Sequence, residues 1–325
     1  MKTRIGILGA AKIAPSAILS PCSKRSDCEI IAVAARDPHK AKAYAQTHNI
    51  PHYETSYEAL VRRDDIDLIY NALPPSRHAD LSIAGLEAGK AVLCEKPFAM
   101  NAAEAKQMTD AATRTARPLL EAFHYRFHPV FCHVMQVVGS GTLGQIKHID
   151  AVFNVAIKDT PGELRHDRAL GGGALMDLGC YPAHWIRTIA GTLPTITSVH
   201  ITEGRKGIDV HTEANLALPD GATATLSTNM MPEQKFHASL DIQTDHGRLR
   251  VQNPLHPHLG HKIELTLSGE TSESVIDGGP TYDYQLAHII DVMRGDALPL
   301  TGGTDALENM QLIDAIYKAG GLEVR

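Results

Sequence analysis

The rhythm of apolar and polar positions changes partway along this chain. Up to about residue 117, short apolar runs (Ile5 to Leu8, Glu29 to Ala34, Leu68 to Asn71 and Ala91 to Cys94) alternate with helix-like periodic stretches. That alternation predicts a parallel sheet built from βαβ units. From Ile146 onward, runs such as Lys147 to Phe153 and Ala222 to Leu226 are set between turn signals at Pro219-Asp220-Gly221 and Asp245-His246-Gly247. These predict an antiparallel sheet. A helix-like piece over Met176 to Ile189 interrupts it. A closing helix runs from Asp305 through Met310, Leu312, Ile313 and Ile316 and stops at Gly320-Gly321. The expected class is therefore α/β plus α+β, with one domain over residues 1–120 and a second over 121–325. The boundary falls near Pro118 to Glu121, with no loose tether, and no internal repeat is found.

A chain of 325 residues with 43% hydrophobic content suits two cores better than one. The formal net charge of -6 offers polyanions no attractive field, so nucleic acid is not an expected partner and a small molecule is. Five cysteines, scattered and without a Cys-x-x-Cys pair, suggest neither a disulfide framework nor a thiolate zinc site, and point to a reducing cytoplasm. No apolar run approaches the roughly 18 residues of a membrane span, so no membrane association is expected.

The first strand-to-helix turn reads Gly6-Ile7-Leu8-Gly9-Ala10-Ala11-Lys12-Ile13-Ala14. From Gly9 this is G-x-A-x-x-A, close to the G-x-G-x-x-G of dinucleotide-binding turns or its final-Ala variant. The methyl of Ala11 holds a pyrophosphate slightly off the backbone, while the helix N-terminus still offers N–H groups to an anion. Such a turn alone is equally often only a turn. Its place on the first strand of a βαβ series makes Gly9, Ala10, Ala11, Lys12 and Ile13 candidates for cofactor contact. Beside the expected end of the second strand stands Ala35-Arg36-Asp37-Pro38-His39-Lys40. An acid there bonds the ribose hydroxyls of NAD, whereas an arginine pairs with a 2′-phosphate. Asp37, directly before Pro38, makes a good N-cap. That leaves Arg36, assisted by Lys40, at the ribose edge and favours NADP over NAD; the alternative is an ordinary solvated arginine. Asn71-Ala72-Leu73-Pro74-Pro75-Ser76-Arg77-His78 forms a proline-stiffened loop on the same sheet edge. Leu73, Pro74 and His78 are the candidates there, and a helix-surface histidine is an equal reading of His78. Glu95-Lys96-Pro97 follows the Ala91 to Cys94 run and places a lysine on that ligand edge.

The glycine turn, the N-x-L-P-x-x-x-H segment, Glu95-Lys96-Pro97, Tyr125-Arg126-Phe127-His128-Pro129 and Gly171-Gly172-Gly173-Ala174-Leu175-Met176-Asp177-Leu178-Gly179-Cys180-Tyr181 together resemble the Gfo/Idh/MocA oxidoreductase family over almost the whole chain. D-x-G-x-Y stands where the inositol dehydrogenase branch has D-x-G-x-H. The chain is thus most similar to the branch of dimeric dihydrodiol dehydrogenase, glucose-fructose oxidoreductase and NADP-dependent xylose dehydrogenase. The resemblance implies a Rossmann domain, an open-faced antiparallel sheet domain that often forms a homodimer, and hydride transfer between a nicotinamide and a sugar, polyol or cyclic diol. It also implies that Lys96, Asp177 and Tyr181 carry the chemistry, and that Gly9, Ile13, Arg36, His78 and Glu95 line the cofactor.

Elementary chemistry gives those roles an independent basis. Oxidising a secondary alcohol requires removal of a hydroxyl proton as hydride leaves carbon. A free tyrosine titrates near pH 10, and a neighbouring ammonium favours the phenolate, so Lys96 supplies charge and Tyr181 the proton acceptor. Asp177 and Tyr181, four residues apart, share a helix face, and Asp177 bonds a substrate hydroxyl or orients Lys96. Asp177 as a helix N-cap is the competing reading. Pro182 implies that the helix begins near Gly179 or bends there, in which case His184 is a second candidate acid or base. Tyr125, Arg126 and His128 border the expected substrate cleft. Arg165, with His166 and Arg168, precedes three glycines that suit an adjustable loop offering donors to sugar hydroxyls; a solvated basic loop fits equally. His256-Pro257-His258-Leu259-Gly260-His261 is read as a surface turn, and no metal is expected. The rival function is a non-catalytic NADP-binding regulator on the same fold.

Overall fold

The computed structural model describes residues 2–205 and 207–325. Six strands of the N-terminal half, β1 (Thr3–Leu8), β2 (Cys28–Ala34), β3 (His52–Glu54), β4 (Leu68–Asn71), β5 (Ala91–Cys94) and β6 (Leu119–Glu121), form one parallel sheet in the order β3-β2-β1-β4-β5-β6. Strands β4 and β5 are buried at every position. Strands covered on both faces must be apolar throughout, which is why they read as continuous runs. The strand order reverses between β1 and β4, and the carboxyl ends there open the crevice where sheets of this kind hold ligands. The helix α1 (Pro38–Thr47) starts as expected: Asp37 Oδ1 accepts from the N–H groups of His39 (2.9 Å) and Lys40 (3.4 Å), with Pro38 at the first helical position. After β4 and β5 come α2 (His78–Glu87) and α3 (Ala102–Thr115).

The chain divides differently from the expected 1–120 and 121–325. One unit takes the residues up to Phe123 together with Tyr282–Leu307, and the other takes His124–Thr281 with Glu308–Arg325. The returning segment belongs to the first unit for a packing reason. Leu286, Ile289 and Ile290 are buried in one cluster with Ile5, Ile7, Val33, Leu68 and Leu93 of the parallel sheet. The N–H of Glu121 also donates to the carbonyl of Thr301 (2.8 Å), which continues the sheet past the edge of β6.

In the second unit, eight strands run in the order β14-β13-β12-β11-β7-β10-β9-β8. They are β7 (Ile146–Asn154), β8 (Thr195–Glu203), β9 (Asp209–Ala217), β10 (Thr223–Asn229), β11 (His237–Thr244), β12 (Gly247–Gln252), β13 (Lys262–Leu267) and β14 (Glu270–Ser274). Both expected turns join hairpins: Pro219–Gly221 lies between β9 and β10, and β11 and β12 meet at Asp245 and His246. The sheet is mostly antiparallel, with one correction to the expectation: β7 and β10 pair in parallel. The chain between them includes a helix and the β8–β9 pair, a crossover long enough for a parallel return. Along β7, Ile149, Ala151 and Phe153 turn inward and alternate with half-exposed positions, so one sheet face is covered and the other is open. The covering helix, α4 (Cys180–Ala190), packs against β7 and β10 and is buried at nearly every residue.

Candidate active site

Three loops of the first unit leave the carboxyl edge of the parallel sheet side by side, from β1, β4 and β5. After β1, Gly9 adopts φ +99°, and a side chain there would also press on Leu73 and the Ala72 carbonyl. Only glycine meets both demands. Ala10 and Ala11 are half-buried, while Lys12 and Ile13 are exposed. The turn is tethered by Tyr44 of α1, whose hydroxyl donates to the Ala11 carbonyl at 3.0 Å. Burial raises the Tyr44 phenol to about 12, so it stays a donor. Past β2, Arg36 and Lys40 are exposed, and the Asp37 carboxylate is engaged in its cap.

The loop after β4 is organised from beneath by Asn71. Its Nδ2 donates to Ser82 Oγ at 3.1 Å and to the Arg77 carbonyl at 3.3 Å, and its Oδ1 accepts from the N–H of Leu73 at 3.4 Å. His78 corrects the expectation that it faces the cofactor. It is fully buried, with Nδ1 2.9 Å from the Pro97 carbonyl and Nε2 2.8 Å from the Leu73 carbonyl. Burial lowers its imidazole below the ordinary histidine range, against the pull of those carbonyls. The ring therefore ties the Leu73-Pro74 loop to the Glu95-Lys96-Pro97 loop. In the latter loop, Tyr70 of β4 donates its hydroxyl to Glu95 Oε1 at 2.5 Å, and the Lys96 N–H donates to Glu95 Oε2 at 3.3 Å. Glu95 and Lys96 are half-buried, and the Lys96-Pro97 peptide is cis.

Asp177 and Tyr181 belong to the second unit. The expected single helix over Met176 to Ile189 is a π-helical turn, Leu175–Gly179, that continues into α4. Pro182 has no N–H to donate four residues back, and a widened turn accommodates the loss. Asp177 lies inside this turn and is not an N-cap. Its Oδ2 accepts from Arg165 Nε at 2.9 Å, and Arg165 also donates to Glu163 at 3.1 Å. The Asp177 charge raises the Arg165 guanidinium above its usual value. Arg165 is thus paired with two carboxylates while its side chain stays 37% exposed. The glycines ahead of the turn are tight: a Cβ on Gly172 would lie 2.6 Å from the Arg165 carbonyl, and one on Gly173 would collide with Asp209, Tyr317 and Arg325.

Tyr181 is 5% exposed, and its hydroxyl lies 3.4 Å from His124 Nε2. Its ring meets Phe153 edge-on at 5.6 Å. His184 is fully buried, with Nδ1 hydrogen-bonded to the Tyr125 hydroxyl and 3.4 Å from Thr188 Oγ1. With Tyr125 equally buried, neither borders open space. His128, expected at the substrate, caps the helix that follows it (Pro129–Gly139): Nδ1 accepts from the Val130 N–H at 3.1 Å and Nε2 faces the Gly279 carbonyl at 3.1 Å. Arg126 is half-buried, its guanidinium 5.5 Å from the Phe131 ring centroid. The histidine tract is only partly a surface turn. His258 is exposed, but His256 stacks on His124 at 5.5 Å. His124 directly precedes the Tyr125 to Pro129 stretch, and no local pattern marks it as part of the site.

A parallel sheet in this order, with a positive-φ glycine turn at the point of reversal and a mostly antiparallel sheet unit, defines a dinucleotide-binding protein of two units. The chain belongs to the Gfo/Idh/MocA oxidoreductase family. Residues 3–123 match its domain described as "Oxidoreductase family, NAD-binding Rossmann fold", and residues 131–250 match the "GFO/IDH/MocA C-terminal domain". A D-xylose 1-dehydrogenase (NADP(+)) of Haloferax volcanii is 30% identical over 318 residues, covering 97% of this chain and 96% of the relative. The trans-1,2-dihydrobenzene-1,2-diol dehydrogenase of Xenopus tropicalis is 35% identical over 71% of this chain and 70% of its own length. Among solved structures, a 3-ketoreductase from Actinomadura kijaniata in complex with NADP and TDP-benzene superposes with TM-score 0.90 at 25% identity, covering 98% of both chains. The aldose-aldose oxidoreductase of Caulobacter crescentus, complexed with glycerol, gives 0.89 at 25% identity over 99% of this chain and 98% of its own.

Proposed function

We propose that this chain is an NADP-dependent oxidoreductase that acts on a CH–OH carbon of a sugar, polyol or cyclic diol. The observation that carries the reading is the Glu95-Lys96-Pro97 loop, fixed by Tyr70 and His78 on the same sheet edge as the Gly9 turn. Relatives that act on xylose and on dihydrodiols support the substrate class.

The donor set fits NADP. Gly9 lets the backbone turn sharply, Arg36 stands exposed at the end of β2, and Asp37, the natural rival for a ribose hydroxyl, is engaged as a helix cap. In this reading residues 9–13 hold the pyrophosphate, Arg36 and Lys40 the 2′-phosphate, and Leu73 and Pro74 the nicotinamide side. When bound, the cofactor supplies the hydride acceptor in oxidation and the donor in reduction. Tyr181 takes the hydroxyl proton from the alcohol, or returns it to the carbonyl oxygen in the reverse direction. In this reading Lys96 supplies the positive charge that favours negative charge on oxygen during the transfer. Asp177, steadied by Arg165, bonds a neighbouring substrate hydroxyl. The proposed assembly is a homodimer through the open face of the eight-stranded sheet, in the cytoplasm.

A screen of aldoses, polyols and cyclic diols for NADP reduction tests the activity. Lys96→Ala and Tyr181→Phe are each expected to lower kcat by about 10²-fold or more, and turnover at the parent rate by either variant would overturn the assignment. Fluorescence titration is expected to show Arg36→Ala losing NADPH affinity while keeping NADH affinity. Equal loss of both would remove the 2′-phosphate role.

A further inference from the structure

Resting on the proposed role of Tyr181, we propose that His124 is the positioning residue through which the Tyr181 hydroxyl exchanges its proton. The geometry lies wholly within the second unit. His124 is 3% exposed and opens the short turn His124–Phe127. Its two ring nitrogens address two hydroxyls: Nε2 lies 3.4 Å from Tyr181 Oη and Nδ1 lies 2.7 Å from Thr281 Oγ1. In the proposed tautomer Nδ1–H donates to the Thr281 hydroxyl, which leaves the Nε2 lone pair facing the phenol. The ring stacks on His256 at 5.5 Å with 19° between the planes, which holds its orientation. Burial and His258 lower the His256 imidazole, so a proton arriving on His124 meets a neutral ring.

His124 Nε2 takes the phenol proton and leaves Tyr181 as the phenolate. The phenolate then accepts the substrate hydroxyl proton, while the carbon's hydride departs with its electron pair to the nicotinamide. The resulting His124 imidazolium releases one proton to water, and reduction runs the same transfers backwards.

The decisive measurement needs neither substrate nor cofactor. In ¹⁵N-labelled parent protein, long-range ¹H–¹⁵N correlation of the imidazoles is expected to place the neutral His124 proton on Nδ1, and Tyr181→Phe is expected to move the Nε2 resonance. A proton on Nε2, or an Nε2 resonance indifferent to Tyr181→Phe, would overturn the proposal. With any sugar or diol that reduces NADP, His124→Phe is expected to lower kcat ten- to a hundredfold with KM within about twofold. A parent-like kcat in this variant would count against the relay. If Tyr181→Phe keeps full turnover, the catalytic reading fails while the imidazole result stands by itself, so the two failures are separable.

Discussion

His128 shows how one side chain makes local structure depend on pH. It is almost wholly buried, caps the helix Pro129–Gly139, and burial lowers its imidazole to about 4, with His261 and His258 adding to the effect. The unfolded chain, titrating near 6.5, therefore binds the proton first. Stability present above about pH 6.5 is lost as pH falls toward 4, to the extent of about 3 kcal/mol. Urea unfolding at pH 7.5 and 4.5 is expected to show this loss in the parent and a smaller one in His128→Asn, which keeps a capping oxygen. A pH dependence unchanged by the substitution would show that the loss arises elsewhere. His78, His128 and His184 share a lesson. Spacing placed each near a ligand edge, but their ring nitrogens bond to carbonyls, a backbone N–H and hydroxyls of the protein itself. A histidine's partners lie across the fold, so its neighbours in sequence do not reveal whether it faces ligand or core.

At the scale of elements, the π-helical turn carrying Asp177 is held by a buried ionic network. Asp209 accepts from the Leu175 N–H at 2.7 Å, the Thr212 hydroxyl at 2.9 Å and the Tyr317 hydroxyl at 2.8 Å. It also pairs with Arg325 at 3.1 Å, and both side chains are fully buried. Arg325 donates further to the carbonyls of Gly172 (3.0 Å) and Gly207 (2.6 Å). Removing one partner of such a pair strands the other charge in the interior, so Arg325→Ala is expected to cost about 3–5 kcal/mol in urea unfolding. A loss below about 1 kcal/mol would mean that water or a side-chain shift satisfies Asp209. A second π-helical turn, Pro15–Leu19, follows the Gly9 loop and likewise precedes a proline, Pro21. The sequence showed a helix over Met176 to Ile189 and flagged Pro182, and local pattern carried that far. The widened turn itself depended on what Asp209 and Arg325 offer from distant strands and ends.

For the molecule as a whole, the returning segment Tyr282–Leu307 is the feature local reading missed. Its helix buries Leu286, Ile289 and Ile290 in the core of the parallel sheet, so Ile290→Ala is expected to destabilise the protein by about 2–5 kcal/mol by urea denaturation. A near-neutral effect would show that this helix is dispensable to that core. What the sequence determined by itself was the pair of sheets, one parallel and one antiparallel in its main run, the Asp37 cap, the hairpin turns and the three loops on one sheet edge; the parallel β7–β10 pairing was not among them. Side-chain periodicity and turn chemistry act between near neighbours, and the chain states them directly. Tertiary structure alone decided the return of residues 282–307, the parallel β7–β10 pair, the Arg165–Asp177 ion pair and the seat of His124 beside Tyr181. Apart from the Arg165–Asp177 pair, twelve residues apart, these join residues far apart in sequence, and such contacts form only when burial of apolar surface brings distant segments together.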